Sequence, residues 1–371
     1  MQLFRQKTAV HTFAHAGEFA EAFQIGKGDF ILASGRTFEK YFSPLGLSAH
    51  VVYKSHYGDS EPTDTMMDAL LADYRASGCD RIIAIGGGAV IDMAKVLVLE
   101  GNACTEDIFL RKVPVKKAHT LIAVPTTCGA GSEVSSVSIT ALTRRGSKLG
   151  LADEAIFPDA AVLIPELLTE MPYGVFATSA IDALIHAIES FVSPKANTYT
   201  ELFSREAVRL IVSGFRRVLD EGETARMALL GDFLKASDMA GVAFANAGTG
   251  AVHAMSYPLS GAYHVAHGEA NYQFFTAVFR EYHRQAPIGK ITRVEEMLAE
   301  TLGCDTADVY DALETLLDRI IPRKHLRDYG MKAEECETWA DDVLELQQRL
   351  LNQSYVKFDR DTMVRLYREL F

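Results

Sequence analysis

Four residues with metal-binding side chains lie in two segments of the second half of the chain. Asp182 and His186 are four residues apart in TSAIDALIHAIESF, so on a helix their side chains leave the same face one turn apart. His253 and His267 follow in GTGAVHAMSYPLSGAYHVAHGEAN. One carboxylate and three imidazoles suit a divalent transition metal. The set favours a metal site, although each residue alone also fits a helix surface pair or a packed core histidine.

The second segment must bring two distant histidines together. It contains Pro258, Gly261 and Gly268, which are residues that break or end helices. We therefore expect a helix that breaks and returns, so that His253 and His267 converge. The small and polar residues around them favour a lined cavity over a tightly packed interface.

Two glycine-rich loops follow apolar runs in the first half of the chain. Gly86, Gly87 and Gly88 come directly after RIIAI. Glycines between a strand and a helix let backbone N–H groups approach a diphosphate at the positive helix end. The triplet is neither G-x-G-x-x-G nor a P-loop. A tight structural turn is therefore the alternative interpretation.

The second loop has the sequence PTTCGAGSE and spans residues 125–133. Its hydroxyls and amides could bind phosphate or ribose oxygens. The alternative is a capped helix start, with Ser132 as the N-cap residue. Two such loops after two strands of one sheet favour a nucleotide at the carboxyl ends of the strands.

The elements that must position these residues differ between the two halves of the chain. Up to about residue 170, short apolar runs alternate with helical patterns, which predicts a parallel sheet covered on both faces. After Pro172 long helical patterns dominate. We therefore expect an α/β dinucleotide-binding domain over residues 1–170 and an all-helical metal-binding domain over residues 171–371. The expected strands are Asp29–Ala33, Ala49–Tyr53, Arg81–Ile85 and Thr120–Val124, and the expected helices are Thr63–Ser77, Ala89–Leu99, Val175–Val192, Tyr199–Leu219 and Thr224–Phe244.

Composition limits the partners and the compartment. The 371 residues carry a formal net charge of −12, which argues against general nucleic-acid binding because no basic surface can neutralise phosphates. We see no apolar run approaching the ~20 residues that span a bilayer and no signal peptide at the N-terminus. Five scattered cysteines without a C-x-x-C pair are typical of reduced thiols. We expect a cytoplasmic protein with no membrane contact.

Taken in order, these motifs cover nearly the whole chain and resemble the iron-containing (group III) alcohol dehydrogenases. Within that family, SAIDALIHAIESFVSPKA and HAMSYPLSGAYHVAHGEANYQFF most resemble enzymes that interconvert 4-hydroxybutyrate and succinate semialdehyde. The motifs that carry the resemblance are GGG-x3-Asp92-x2-Lys95, residues 125–133, Asp182-x3-His186, His253 and His267-Gly268.

The resemblance implies a dehydroquinate synthase-like fold with the active site in the cleft between a nucleotide-binding domain and a helical domain. It implies a homodimer that transfers a hydride between NAD(H) and a primary alcohol or aldehyde. It implies Fe²⁺ as the metal, with Zn²⁺ as the alternative. Four protein ligands leave a position for the substrate only if the metal has more than four ligands, which favours Fe²⁺ over a closed tetrahedral Zn²⁺ site. The implied metal ligands are Asp182, His186, His253 and His267. The implied cofactor residues are Gly86, Gly87, Gly88, Thr126, Thr127, Ser132 and Lys148, with Asp92 at the glycine turn.

Two positions depart from the family pattern. Many members carry a histidine four residues after the third ligand, where this chain has Tyr257, so a proton-relay role cannot be transferred there. We expect His264, together with Tyr257, to bind a substrate carboxylate or to relay the proton; a packing or surface role is the alternative for each. NAD-preferring relatives often have an acidic residue where this chain has Gly35 followed by Arg36, so NADP use is also expected.

Three other functions remain to be weighed from the sequence. The enzyme could act on another small alcohol, such as butanol or propanediol. It could be a metal- and NAD-dependent lyase of the same fold, although no Lys or Arg beside His253 or His267 supplies the phosphate site that such enzymes need. It could also be a non-catalytic nucleotide-binding protein with a structural metal. NAD reduction on adding 4-hydroxybutyrate and Fe²⁺ distinguishes these possibilities.

Overall fold

The computed structural model of the chain describes residues 2–145 and 147–371. The chain divides into two compact units, which are described separately below. The first is Gln6–Met171, and the second is Pro172–Phe371 with the N-terminal residues through Arg5.

The first unit is an α/β unit built on a six-stranded sheet in which every described pairing is parallel. The strand order is β1-β8-β5-β4-β2-β3, and β6 and β7 form a separate antiparallel hairpin. The strands are β1 (Ala9–Thr12), β2 (Asp29–Ala33), β3 (His50–Tyr53), β4 (Arg81–Gly86), β5 (Thr120–Pro125), β6 (Val137–Leu142), β7 (Ser147–Ala152) and β8 (Ala160–Leu163). The helices of this unit are α1 (Ala16–Ala22), α2 (Gly35–Tyr41), α3 (Asp64–Ser77), α4 (Gly88–Leu97) and α5 (Thr105–Phe109).

The continuous apolar runs of the central strands explain their position. Every residue of β2, and Ile82 to Ile85 of β4, is buried, as expected for parallel strands covered by helices on both faces. α3 begins after Thr63, whose hydroxyl accepts the N–H of Met66, and ends at Gly78 in the left-handed conformation. The predicted fold class, a parallel-sheet α/β unit followed by a helical unit, is confirmed.

The second unit is helical: its residues from Pro172 to Phe371 lie in helices or in the segments that connect them. α6, the most buried of them, packs against α7, α8 and α10. The helices are α6 (Tyr173–Val192), α7 (Thr198–Glu221), α8 (Arg226–Ala247), α9 (Ala251–Tyr263), α10 (His267–Gln285), α11 (Lys290–Leu302), α12 (Val309–Ile320), α13 (Glu335–Leu346), α14 (Gln348–Leu351) and α15 (Arg360–Leu370).

The expectation that no apolar segment reaches membrane-spanning length was wrong. α6 is long and apolar enough to cross a bilayer, but 89% of its most apolar window is buried inside the protein. Its burial along most of its length is typical of a helix at the centre of a helical unit. The same helix carries Asp182 and His186, so polar ligands are held in an apolar setting.

The expected helix break lies at a different place in the second ligand segment. α9 continues through Pro258 and Gly261, and the chain turns at His264, whose φ of 54° is left-handed. Gly268 lies inside α10 rather than at a break. A Cβ there would lie 2.2 Å from the carbonyl oxygen of Thr178 on α6, so glycine lets the two helices approach closely.

Candidate metal centre and cofactor loops

The structure brings the four sequence-predicted metal ligands together in the helical unit. Asp182 and His186 lie one turn apart on α6, His253 lies in the first turn of α9, and His267 begins α10. One ligand atom from each lies within 4.8 Å of every other. Two atoms that each lie about 2.1 Å from one metal ion are at most about 4.2 Å apart. The four ligand atoms would therefore have to move only slightly toward one another to bind a single ion.

The cluster is largely buried, and an aromatic ring packs against one of its histidines. Asp182, His186 and His253 are buried, and His267 is half-buried. The ring of His186 stacks between those of Phe244 and His253, with centroid distances of 4.5 and 4.7 Å. Aromatic packing of this kind fixes the orientation of the imidazole before any ion arrives.

Two observations test whether these residues fit a cation. The Nε2 atom of His253 is buried and has no hydrogen-bond partner among the described residues, which is costly unless another group binds it. Burial alone would raise the pKa of Asp182, but the nearby His186, His267 and His253 outweigh that effect and bring it below the ordinary value. An ionised carboxylate beside an unsatisfied imidazole nitrogen is a donor set for a divalent metal.

Two further residues support this cluster, and neither is among the site residues predicted from the sequence. Asn271 is fully buried; its amide donates to Asp182 at 2.7 Å and lies 3.2 Å from Nε2 of His267. Glu189 pairs with Nδ1 of His253. Helical spacing could have identified them, because Asn271 lies four residues after His267 and Glu189 lies three after His186.

Tyr257 and His264, the two residues expected to act on the substrate, differ in burial. Tyr257 is half-buried, and its ring centroid lies 5.9 Å from that of His267. His264 is exposed and ends α9 in the left-handed conformation. The chain between His264 and His267 is not helical, so the two histidines do not lie one helical turn apart on a common face. The role of His264 in catalysis stays a prediction.

Three loops of the α/β unit meet at the carboxyl edge of the sheet. β4 ends at Gly86, Gly87 precedes α4, and α4 begins at Gly88. β5 lies beside β4, and the N–H of Thr126 donates to the carbonyl of Gly86 at 3.1 Å. On the other side, the N–H of Ser34 donates to Ile85 at 2.8 Å. These three loops are therefore neighbours at the edge where parallel sheets bind nucleotides. They contain Gly35, Gly86–Gly88 and Thr126–Thr127.

A buried lysine on α4 connects the carboxyl edge of the sheet to the β6–β7 hairpin through hydrogen bonds. Lys95 on α4 has no exposed surface. Its ammonium donates to the hydroxyls of Ser132 and Ser135 and to the carbonyl of Val137, and it lies 3.2 Å from the carboxylate of Asp92. Burial lowers the pKa of Lys95, and Asp92 opposes that shift.

Asp92 and Ser132 form hydrogen bonds with other residues of the α/β unit. The second carboxylate oxygen of Asp92 accepts the N–H of Ile139 at 3.0 Å, and the hydroxyl of Ser132 donates to the first. Beside them, burial raises the pKa of Glu133 to about 7. Ser132 does not cap a helix with its side chain; it begins a short 3₁₀ turn after Gly131.

Lys148 lies on β7 of the hairpin. Its side chain is exposed and forms an ion pair with Glu61, which is an ordinary surface contact. Cofactor binding by Lys148 stays a prediction carried by the resemblance.

Two known sequence families match this chain, one in each of its two compact units. The sequence pattern described as Iron-containing alcohol dehydrogenase matches residues 7–165, and that described as Fe-containing alcohol dehydrogenase family, C-terminal, matches residues 176–371. The chain is 46% identical to the 4-hydroxybutyrate dehydrogenase of Clostridium kluyveri over 371 residues, which is the full length of both.

Solved structures have the same fold. The structure of a 1,3-propanediol oxidoreductase superposes with a TM-score of 0.86 at 24% identity and covers 100% of both chains. A sulfoacetaldehyde reductase from Bifidobacterium kashiwanohense in complex with NAD⁺ superposes with a TM-score of 0.85 at 24% identity, covering 100% of this chain and 99% of that one.

Proposed function

This chain belongs to the iron-containing alcohol dehydrogenase family and is an alcohol oxidoreductase of that family, and we propose that it interconverts 4-hydroxybutyrate and succinate semialdehyde with NAD. In the forward direction the alcohol carbon gives a hydride to NAD⁺ and the hydroxyl loses a proton, which yields the aldehyde, NADH and H⁺. The observation that carries the proposal is the full-length 46% identity to a 4-hydroxybutyrate dehydrogenase, in a chain whose Asp182, His186, His253 and His267 converge.

The proposed metal ligands are these four residues, and Fe²⁺ is the proposed ion. When bound, such an ion supplies Lewis acidity toward the substrate oxygen. The chain's own contribution is to hold its donors in place: α6 presents Asp182 and His186 on one face, and Asn271 donates to the carboxylate. The stacked Phe244 ring on His186 keeps that side of the cluster apolar, which strengthens electrostatic interactions there.

For the cofactor, we propose that Gly86–Gly88 and Thr126–Thr127 bind the diphosphate through backbone amides and hydroxyls. α4 begins at Gly88, and the N-terminus of a helix carries a partial positive charge that attracts phosphate. A Cβ at Gly88 would lie 2.8 Å from the Cβ of Ala130, so glycine leaves room for the diphosphate to approach the backbone. Lys148 is proposed to reach the cofactor from the hairpin. Asp92 and Ser132 are proposed to act through Lys95, by holding the second loop in its shape.

The proposal is tested by a substrate panel assayed with both cofactors. 4-Hydroxybutyrate, 1-butanol and 1,3-propanediol are compared at saturating Fe²⁺ with NAD⁺ and with NADP⁺. We expect the highest kcat/KM for 4-hydroxybutyrate with NAD⁺. A higher value for an alcohol without a carboxylate would refute the proposed substrate while leaving the family assignment intact.

Cofactor preference leads to a specific prediction at Gly35. This residue follows β2, and a Cβ there would meet only the ring of Tyr53, at an ordinary 3.9 Å, so an aspartate fits. Gly35→Asp should raise the KM for NADP⁺ at least about tenfold, because like charges in contact cost several kcal/mol, while the KM for NAD⁺ changes little. Steady-state kinetics with each cofactor measure the effect. An equal loss with both cofactors would mean that another residue faces the 2′ position.

The carboxylate of the substrate needs a donor. It lies about 5–6 Å from the hydroxyl carbon, by bond geometry, and a carboxylate in an apolar setting requires hydrogen bonds or a positive charge. We propose Tyr257, beside His267, as the first donor and His264 as the second. Both can donate, but only Tyr257 is half-buried next to a proposed ligand.

We expect Tyr257→Phe to raise the KM for 4-hydroxybutyrate about tenfold, because a hydrogen bond to a charged group contributes roughly 1.5–3 kcal/mol. The KM for 1-butanol, which has no carboxylate, should stay near the parent value. His264→Ala should act in the same direction with a smaller effect. Equal effects of either change on the two alcohols would contradict carboxylate binding and indicate a role in proton transfer or folding.

We also propose that the enzyme is a cytoplasmic homodimer. β1 is an edge strand with all four residues exposed, and proteins seldom leave such an edge uncovered. The five cysteines, all within the described residues, form no disulfide bond, which fits a reducing compartment. Sedimentation equilibrium distinguishes the 40.8 kDa chain from a species of twice that mass.

A further inference from the structure

A second carboxylate lies behind the proposed metal ligands. Glu189 is on α6, one turn after His186, and only 1% of its surface is exposed. One oxygen accepts the N–H of Val252 at 2.8 Å, and the other pairs with Nδ1 of His253. Both oxygens of a buried carboxylate are thus directed at two consecutive residues of α9.

Each of these contacts has a structural consequence. The N–H of Val252 is one of the first-turn donors that a helix cannot satisfy internally, so Glu189 caps α9 and holds its start against α6. The contact with Nδ1 requires the proton of the neutral imidazole to be on that nitrogen. The lone pair of His253 is then on Nε2, the buried atom with no hydrogen-bond partner, 3.9 Å from the carboxylate of Asp182.

We propose that Glu189 is a positioning residue that fixes the tautomer and orientation of His253, so that Nε2 is available to the metal. A buried carboxylate is costly unless it is well paired, and here its partners are the side chain of one proposed ligand and the backbone N–H next to it. Outer carboxylates of this kind raise metal affinity by orienting the ligand. The inference rests on the metal site proposed above.

The test is Co²⁺ binding to metal-free full-length protein, followed by visible absorption. Glu189→Gln retains the shape but has one acceptor oxygen for two N–H donors. We expect its Kd for Co²⁺ to rise about ten- to hundredfold, with Glu189→Asp between it and the parent. The matched control is Glu295→Gln, because Glu295 is a buried glutamate of the same unit that pairs with His283 at 2.8 Å. That variant should bind Co²⁺ as the parent does.

A double-mutant cycle distinguishes positioning from a general loss of structure. If Glu189 acts through His253, Glu189→Gln adds no further weakening of Co²⁺ binding in a His253→Ala background. An unchanged Kd in Glu189→Gln, or an equal weakening in both backgrounds, would overturn the role of Glu189 while the metal site stands. Normal Co²⁺ binding by His253→Ala would overturn the metal site itself, and the inference with it.

Discussion

Replacing His267 with alanine should lower kcat for 4-hydroxybutyrate oxidation about a thousandfold and remove most of the bound metal. His267 begins α10 and offers one of four converging ligand atoms. Lewis acidity toward a substrate oxygen is worth several kcal/mol, and about 4 kcal/mol corresponds to three orders of magnitude in rate. Because His267 is half-buried at a helix start, the helical unit should stay folded.

Metal content of the purified variant and its far-ultraviolet circular dichroism are measured beside the kinetics. His283→Ala is the matched control, since His283 lies on the same helix but pairs with Glu295. It should retain the metal and the activity of the parent. Full metal occupancy with normal turnover in His267→Ala would remove this residue from the site.

Replacing Lys95 with methionine should destabilise the α/β unit by about 3–5 kcal/mol, the usual cost of leaving one partner of a buried ion pair alone. The ammonium, which has no exposed surface, binds Asp92, Ser132, Ser135 and Val137. These groups shape the second cofactor loop and its junction with the hairpin. The KM for NAD⁺ should therefore rise more than about tenfold, while the KM for the alcohol changes little.

Urea unfolding and the two KM values measure these effects. Lys290→Met is the control: Lys290 is a half-buried lysine of the helical unit that donates to the carbonyls of Ser193 and Ala196. Its loss should cost stability without raising the KM for NAD⁺. A Lys95→Met variant with the parent's stability and cofactor KM would show that the ammonium does not hold the loop.

The central strands and the long helices were predictable because their patterns are local. Asp29–Ala33 was predicted with its observed bounds, since five buried residues between turn signals leave one interpretation. β1 and β8 were missed for different reasons: all four residues of β1 are exposed, so no buried apolar run marks it, and β8 begins with two alanines, which are weak strand formers. The hairpin of β6 and β7 was also missed; it is antiparallel in a unit whose other strands suggested only parallel pairing.

The grouping of the four proposed ligands was predictable, but the backbone that brings them together was not. Helical spacing predicts that Asp182 and His186 share one face of a helix, as they do on α6. Pro258 and Gly268 were taken as breaks, yet both lie within helices. A glycine that allows close helix packing cannot be distinguished by sequence from one that ends a helix. The same limit applies to Lys95, because sequence gives the charge of a lysine and not its burial.

The central claim is that this chain oxidises 4-hydroxybutyrate with NAD⁺ through a metal held by the four converging residues. The most direct test is NADH formation from 4-hydroxybutyrate by metal-free protein, before and after Fe²⁺ is added. We predict no NADH before the addition and steady formation after it. NADH formation at the same rate without the metal, or none with Fe²⁺ present, would contradict the claim.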